Sequence, residues 1–200
     1  PVCSSAASDV YKRQALLMIT LYEVNADKKA LEKSIKIMND TWELFFNKET
    51  QLFQKNIIKD NDLFASPLDL NDSNIPNGNS VYLLISNKLY SITNDKIWSE
   101  RNEVLKKSFH QVLNSYYSQM FSFIKTLDIC DNSLSFTFSG TSQSIKEIQL
   151  YLQKEYLGVA TFVYELNNDT KPSVIICKNQ ICSNKLINIS EAVEYLSKSD

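Results

Sequence analysis

Apolar residues recur at intervals of three and four over the first two thirds of the chain, the spacing of one helix face. The pattern predicts a helix from Ala15 to about Val24 and a second over Lys28–Phe46, separated by a short turn. It predicts further helices over Asn79–Thr93 and from Ile97 to about Leu127, with a break near Asn114–Ser118. Helices joined by short turns form successive hairpins.

The hydrophobic period changes after Asp131-Asn132, where apolar and polar residues begin to alternate. Alternation is typical of a strand with one buried face. The predicted order is β-α-β-β-α, which fits a small sheet covered by helices, with a right-handed first crossover if its strands are parallel. The sequence thus predicts a mainly α chain, with helical hairpins over 15–130 and a small α/β region over 131–200. The predicted elements of this region are strands Leu134–Ser139, Ala160–Leu166 and Ser173–Cys177 and helices Ser144–Tyr156 and Ser190–Ser197.

A long polar segment, Asn47–Ile75, separates the second predicted helix from the third. It offers at best a short strand pair around Leu52-Phe53 and Asn56–Ile58. Loops longer than ~12–15 residues are uncommon inside compact domains and are often functional. We therefore expect this segment to face a ligand.

The first fourteen residues, Pro1–Gln14, lack the charged start and apolar stretch of a signal peptide. They resemble translated sequencing-adaptor sequence, and a disordered native terminus is the alternative. We set them aside from the fold and expect the native protein to continue upstream.

Composition excludes several classes of function. The net charge is −2, and no basic stripe interleaved with aromatic residues is present, so we expect no nucleic-acid partner. No apolar run approaches the ~20 residues needed to span a bilayer, so we expect no membrane partner. Only three glycines are present, and no phosphate-binding loop, cofactor or metal site is predicted. Four scattered cysteines favour a reducing compartment, and we expect a soluble cytoplasmic protein.

Candidate ligand-binding residues cluster where the polar segment enters the third helix. Asn77, Gly78, Asn79 and Ser80 lie at a predicted helix start, whose unpaired N–H groups favour an oxygen-rich or anionic ligand. The alternative is that Asn and Ser cap the helix and Gly supplies a special backbone conformation. Asp72 lies just before this start and completes the candidate set. With Asp69 it forms a possible carboxylate pair of the kind used in glycoside hydrolysis, although solvated loop acids are the alternative.

The single histidine and one pair of cysteines are further candidates for chemistry. His110 is the only histidine and is predicted to lie on a helix surface, so an acid–base pair of histidines cannot be completed by this chain. Cys177 and Cys182 form a C-x₄-C pair, which allows a disulfide, half of a metal site, or separate structural thiols.

Three ordered stretches resemble one family. They are Leu21-Tyr22-Glu23, Asp72-x-x-x-Pro76-Asn77-Gly78-Asn79-Ser80, and Pro172–Cys177 followed by Cys182-Ser183. Together they are similar to the thioredoxin-domain-containing spermatogenesis-associated proteins, whose bacterial members are called YyaL-like.

The resemblance implies an upstream thioredoxin-like domain and a partial (α/α)6 toroid similar to six-hairpin glycosidases and N-acylglucosamine 2-epimerases. It implies a protein resembling carbohydrate-processing enzymes, with a sugar-like small molecule as its possible ligand and no assigned reaction. The alternative is a non-catalytic module that recognises a client for the thioredoxin-like domain of the same full-length protein.

Overall fold

The computed structural model describes residues 7–57, 68–72, 76–156, 158–178 and 181–198. The chain divides into two compact units, Pro1–Cys130 and Asp131–Asp200. The described residues are mainly helical with a small strand-bearing part, so the prediction of a mainly α chain is confirmed. Positions 1–6, 58–67 and 73–75, including Ile58 of the predicted strand pair, lie outside the described residues.

The helical unit begins with two hairpins, α1–α2 and α3–α4. Their helices are α1 (Ala7–Asn25), α2 (Lys28–Phe45), α3 (Gly78–Thr93) and α4 (Lys96–Tyr116). A 3₁₀ turn, Tyr117–Gln119, separates α4 from α5 (Phe121–Asn132). This turn is the break predicted near Asn114–Ser118.

Side-chain caps set the helix boundaries. Asp27 accepts a hydrogen bond from the backbone N of Lys29 and starts α2, while Asp95 accepts from the backbone N of Ile97 and starts α4. Asn94, with a φ of 55°, ends α3 in the left-handed conformation that asparagine tolerates.

α1 begins at Ala7, earlier than the predicted start at Ala15. Residues 7–14 were set aside as adaptor-derived or disordered, but they form the first turns of α1. Ser8 and Lys12 are buried there. The exclusion of these residues from the fold is therefore wrong for residues 7–14, and the adaptor origin of the segment stays a prediction.

The polar segment contains a short antiparallel pair, β1 (Phe46–Asn47) and β2 (Leu52–Phe53). The predicted strand at Leu52-Phe53 exists, but its partner is Phe46–Asn47 rather than the segment beginning at Asn56. Strands of two residues carry no periodicity, so the pairing could not be read from the pattern.

The core of the helical unit lies between α1, α2, α3 and α4, because each contributes its apolar stripe. α3 is buried along nearly its whole length. The largest fully buried side chains described in this unit include Lys12, Ile19, Met38, Phe45, Leu52, Phe53, Tyr82, Trp98, Phe109 and Phe123.

The α/β unit is built on a four-stranded sheet in the order β4-β3-β5-β6. Its central strand β3 alternates buried and half-buried residues, as the sequence pattern predicts. β3 pairs with β4 in parallel and with β5 antiparallel, and Leu134 stands opposite Ala160 in the first pair. The elements are β3 (Leu134–Gly140), α6 (Ser142–Glu155), β4 (Ala160–Leu166), β5 (Ser173–Lys178), β6 (Ile181–Cys182) and α7 (Ile189–Ser197).

Candidate functional site

The Asp72 carboxylate joins the start of α3 to the start of α5. Its Oδ1 accepts hydrogen bonds from the backbone N and the Nδ2 of Asn77, both at 2.9 Å, and from Ser122 Oγ. Its Oδ2 accepts from the backbone N of Ser122 at 2.7 Å. Asn77 Oδ1 accepts from the backbone N and the Oγ of Ser80, both at 2.9 Å. We call Asp72, Asn77, Ser80 and Ser122 the Asp72 clasp.

Hydrogen bonds within the Asp72 clasp keep the Asp72 carboxylate ionised. Partial burial by itself would raise the pKa of Asp72, but hydrogen bonds from Ser122 and Asn77 outweigh burial and lower the pKa below its ordinary value. A carboxylate held ionised by protein donors is a poor general acid at neutral pH. The clasp therefore favours a positioning role for Asp72.

A second polar cluster ties β2 to the first turn of α3. Asn79 Oδ1 accepts from the backbone N of Phe53 at 2.9 Å, and Asn79 Nδ2 donates to the backbone O of Asp69 at 2.6 Å. Asp69 Oδ2 accepts from the backbone N of Gly78 at 2.8 Å. A Cβ at Gly78 would collide with the Asp69 carboxylate and with the Lys12 ammonium group. Glycine is thus required here by close packing.

Charged groups from α1 complete this second cluster. Lys12 Nζ lies 3.4 Å from Asp69 Oδ2 and 4.5 Å from the centroid of the Phe53 ring. Burial lowers the pKa of Lys12 to about 8, although Asp69 and Asp9 oppose the shift. Burial, together with the neighbouring Asp69 carboxylate, raises the pKa of Asp9. The cluster joins the buried Lys12 amine and Asp69 carboxylate to the half-buried carboxylate of Asp9.

The five predicted ligand-binding residues lie together, but they face the protein interior. Asn77, Asn79 and Ser80 are each at most 2% exposed, and Gly78 is buried. Asp72 is half-buried, and both of its oxygens accept hydrogen bonds. Their geometry is that of a helix-start support, the alternative that the sequence left open.

Two partners in these clusters were missed from the sequence. Ser122 lies 50 positions from Asp72, and no local pattern marks it. Lys12 lies in the segment that was set aside. For Asp69 a signal existed, because an acid just before a helix start often meets backbone N–H groups.

A groove of about 460 Å³ opens where α2 passes into β1. It lies at the beginning of the polar segment that was expected to face a ligand. Phe46 lines the groove, and its ring stacks on Trp42 with 3.8 Å between the ring centroids and contacts Phe53 edge-on. The lining residues are Glu43, Leu44, Phe46, Asn47, Lys48, Glu49 and Ile57.

The α/β unit has a groove of its own, of about 530 Å³. Both aromatic and charged side chains line it, including Tyr151, Tyr156, Glu155 and Lys178. The last of these immediately follows Cys177 in β5.

The structure decides between the alternatives for the cysteine pair and places the histidine. Cys177 and Cys182 form a disulfide, which overturns both the half metal site and the separate thiols. His110 is exposed on α4, so the prediction of a helix-surface histidine is confirmed. Within the described ranges, no group of three metal-binding side chains is present.

The sequence matches no protein-family model and no curated protein. The resemblance to the thioredoxin-domain-containing proteins therefore rests on the three stretches alone. In the part of the chain that the structure describes, no helix is long and apolar enough to cross a membrane.

Proposed function

We propose that the helical unit belongs to a toroid similar to carbohydrate-processing enzymes and binds a sugar-like small molecule. The observation that carries the binding proposal is the groove of about 460 Å³ beside β1. It combines an aromatic ring, Phe46, with the carboxylates of Glu43 and Glu49. An aromatic ring can stack on a sugar, and carboxylates can accept hydrogen bonds from its hydroxyl groups, so this combination suits a polyhydroxylated ligand.

The faces of α1 support the toroid. Its buried face packs into the unit, while its exposed face carries an apolar stripe beside polar residues such as Arg13 and Thr20. An apolar stripe on a helix surface is commonly covered by another element. Further helical hairpins, as in a toroid, would supply that cover. The exposed apolar residues of α1 are Val10, Leu17, Leu21 and Val24.

The Asp72 clasp has a supporting role in this proposal. It fixes the end of the polar segment to α3 and α5, while β1 and β2 fix the beginning. Pre-organising a loop lowers the entropy lost on binding. We therefore assign ligand contact to Glu43, Phe46 and Glu49, and positioning to Asp72.

Thermal denaturation of the whole chain with N-acetylglucosamine and other monosaccharides tests the proposal. A ligand present at ~100 times its Kd adds about 2.7 kcal/mol to stability, and the Tm should rise accordingly. Glu49→Gln should abolish the rise, because Glu49 is exposed on the groove. Glu100→Gln removes the same charge at an exposed position of α4 and should keep the full rise. Ser122→Ala weakens only the clasp and should reduce the rise without abolishing it.

Two results count against the proposal. If no sugar raises the Tm of the unmodified chain, ligand binding of this class is wrong. If Glu49→Gln responds like Glu100→Gln, the ligand lies elsewhere, and loss of the response in Ser122→Ala would locate it at the clasp.

The second candidate is a non-catalytic module that recognises a client of an upstream thioredoxin-like domain, working in the cytoplasm. It is favoured because both candidate catalytic acids, Asp69 and Asp72, are held by internal hydrogen bonds. A sugar response without turnover of any sugar by the full-length protein would support it. Turnover that Glu49→Gln abolishes would contradict it.

A further inference from the structure

An exposed disulfide closes the β5–β6 hairpin of the α/β unit. Cys177 and Cys182 stand directly opposite each other in the antiparallel register, and a disulfide joins them. Cys182 is exposed and Cys177 is half-buried. Ile181, which precedes Cys182, is 75% exposed. An external thiol can therefore approach the hairpin from the side of Cys182.

The disulfide is not the main link between this hairpin and the sheet. Val174 and Leu186 exchange two backbone hydrogen bonds, of 2.8 and 2.9 Å. Ser183 donates its backbone N to Ile176 O at 2.8 Å, and Ser183 Oγ accepts from the backbone N of Ile176 at 3.0 Å. The bridge itself spans a sequence separation of only 5, and short closed loops gain little from a cross-link. None of these hydrogen bonds involves the two sulfur atoms, so we expect them to persist when the bond opens.

We propose that Cys177–Cys182 is a site of reversible thiol–disulfide exchange whose co-reactant is a dithiol. A thiolate of the dithiol attacks Sγ of Cys182 and forms a mixed disulfide. The bond between Cys182 and Cys177 breaks, and Cys177 leaves as a thiolate that takes up a proton. The second thiol of the co-reactant then attacks the other sulfur of the co-reactant, which is bonded to Cys182 in the mixed disulfide. Cys182 leaves and is protonated, so the pair gains two electrons and two protons and the dithiol becomes a disulfide.

The strand register favours a dithiol over a monothiol. Cys177 stays opposite Cys182 after the first step, because the remaining hydrogen bonds hold β5 against the following chain. Cys177 therefore attacks the mixed disulfide again and expels a monothiol. A co-reactant with a second thiol can resolve the mixed disulfide by an intramolecular attack that competes with the return attack of Cys177.

The test exposes the whole folded chain to dithiothreitol or to reduced glutathione at equal thiol concentration. Free thiols are then alkylated and located by peptide mapping, which separates this pair from Cys3 and Cys130. Dithiothreitol should give full alkylation of Cys177 and Cys182 with an unchanged circular dichroism spectrum, whereas glutathione should leave most of the disulfide intact. Oxidised dithiothreitol, added after the reductant is removed, should restore the bond.

Three results would overturn the proposal. They are a disulfide that opens only in denaturant, an opened pair whose α/β unit unfolds, and equal reduction by both reagents. The direction of attack has its own test with an aromatic disulfide reagent. The thiol left in Cys177→Ser should react several-fold faster than the thiol left in Cys182→Ser, and the reverse order would contradict attack at Cys182.

Discussion

Asp72 is the residue on which the start of α3 and the start of α5 depend together. Its two oxygens take donors from both places, and Asn77 passes the network on to Ser80. A helix N-terminus leaves four N–H groups without intrahelical partners. Asn77 satisfies one of them in α3, and Asp72 satisfies another donor at the start of α5. The roles of Asp72 and Asn77 in this motif are thus explained by hydrogen bonds that support two helix starts.

Asp72→Asn should destabilise the chain by about 1–3 kcal/mol, the usual value for losing hydrogen bonds to a charged group. Urea denaturation near neutral pH measures the loss. Glu100→Gln is the control, because it removes an exposed carboxylate of the same charge. Near-equal stability of the two variants would contradict the structural role.

The stability lost in Asp72→Asn should depend on pH. The folded pKa of Asp72 is lowered, so its contribution is complete above the unfolded value and is lost as the pH falls through the folded pKa. The difference between the unmodified chain and Asp72→Asn should therefore shrink below about pH 4. A difference that stays constant under acid conditions would assign the loss to another cause.

At this scale the sequence reveals local partners and hides distant ones. Asn77 is recognisable as a cap because it directly precedes an apolar helix period. Ser122 is not recognisable, since its contact to Asp72 exists only after α4 and the following turn bring α5 back to the polar segment. The candidate residues lie close together because they flank one helix start, but their burial depends on these long-range contacts.

Helices of four or more turns were the best predicted elements, because their apolar period repeats often enough to define a face. α2 ends one residue before its predicted end, and α3 begins one residue before its predicted start. β1 and β2 are too short for any period, and α1 was cut short because its first turns resemble adaptor sequence. In α1 a single buried lysine, Lys12, now connects the helix to the second polar cluster.

Lys12→Met should stabilise the chain near neutral pH. Removing one member of a buried pair usually costs about 3–5 kcal/mol. Here burial outweighs the attraction of Asp69 and Asp9 and lowers the pKa of Lys12 to about 8, so the ammonium form is less stable in the folded state than in the unfolded chain. Asp69→Asn should instead destabilise, because it leaves the buried amine with less compensation while keeping an acceptor for Gly78.

The pH dependence separates this explanation from a packing effect. The folded state binds fewer protons than the unfolded state between the folded pKa, about 8, and the ordinary value of 10.5. The stability of the unmodified chain should therefore rise through this window relative to Lys12→Met. Urea denaturation on both sides of the window measures it. A Lys12→Met variant as unstable as Asp69→Asn would mean that the ion pair is favourable overall.

The whole molecule consists of two units with separate cores, and the change of hydrophobic period after Asp131-Asn132 lies at their boundary. The α/β unit encloses its own apolar set between β3, β5 and α6, including Phe136, Ile148 and Ile176. The hydrophobic period was sufficient to anticipate a mainly helical chain with a small strand-bearing part. The strand order could not be predicted from the hydrophobic period, because parallel and antiparallel partners of β3 share the same alternating pattern.

Residues 131–200 should fold without the helical unit. The central strand β3 is paired on both sides, and α6 covers buried positions of the sheet, so the main interactions of this unit are internal. A domain of this size is only marginally stable, and we expect a cooperative urea transition of a few kcal/mol. Dispersed amide signals in an NMR spectrum, matching those of the same residues in the whole chain, would establish the native fold. A chain segment without dispersion, in the presence of the intact Cys177–Cys182 bond, would show that the α/β unit requires contacts from outside itself.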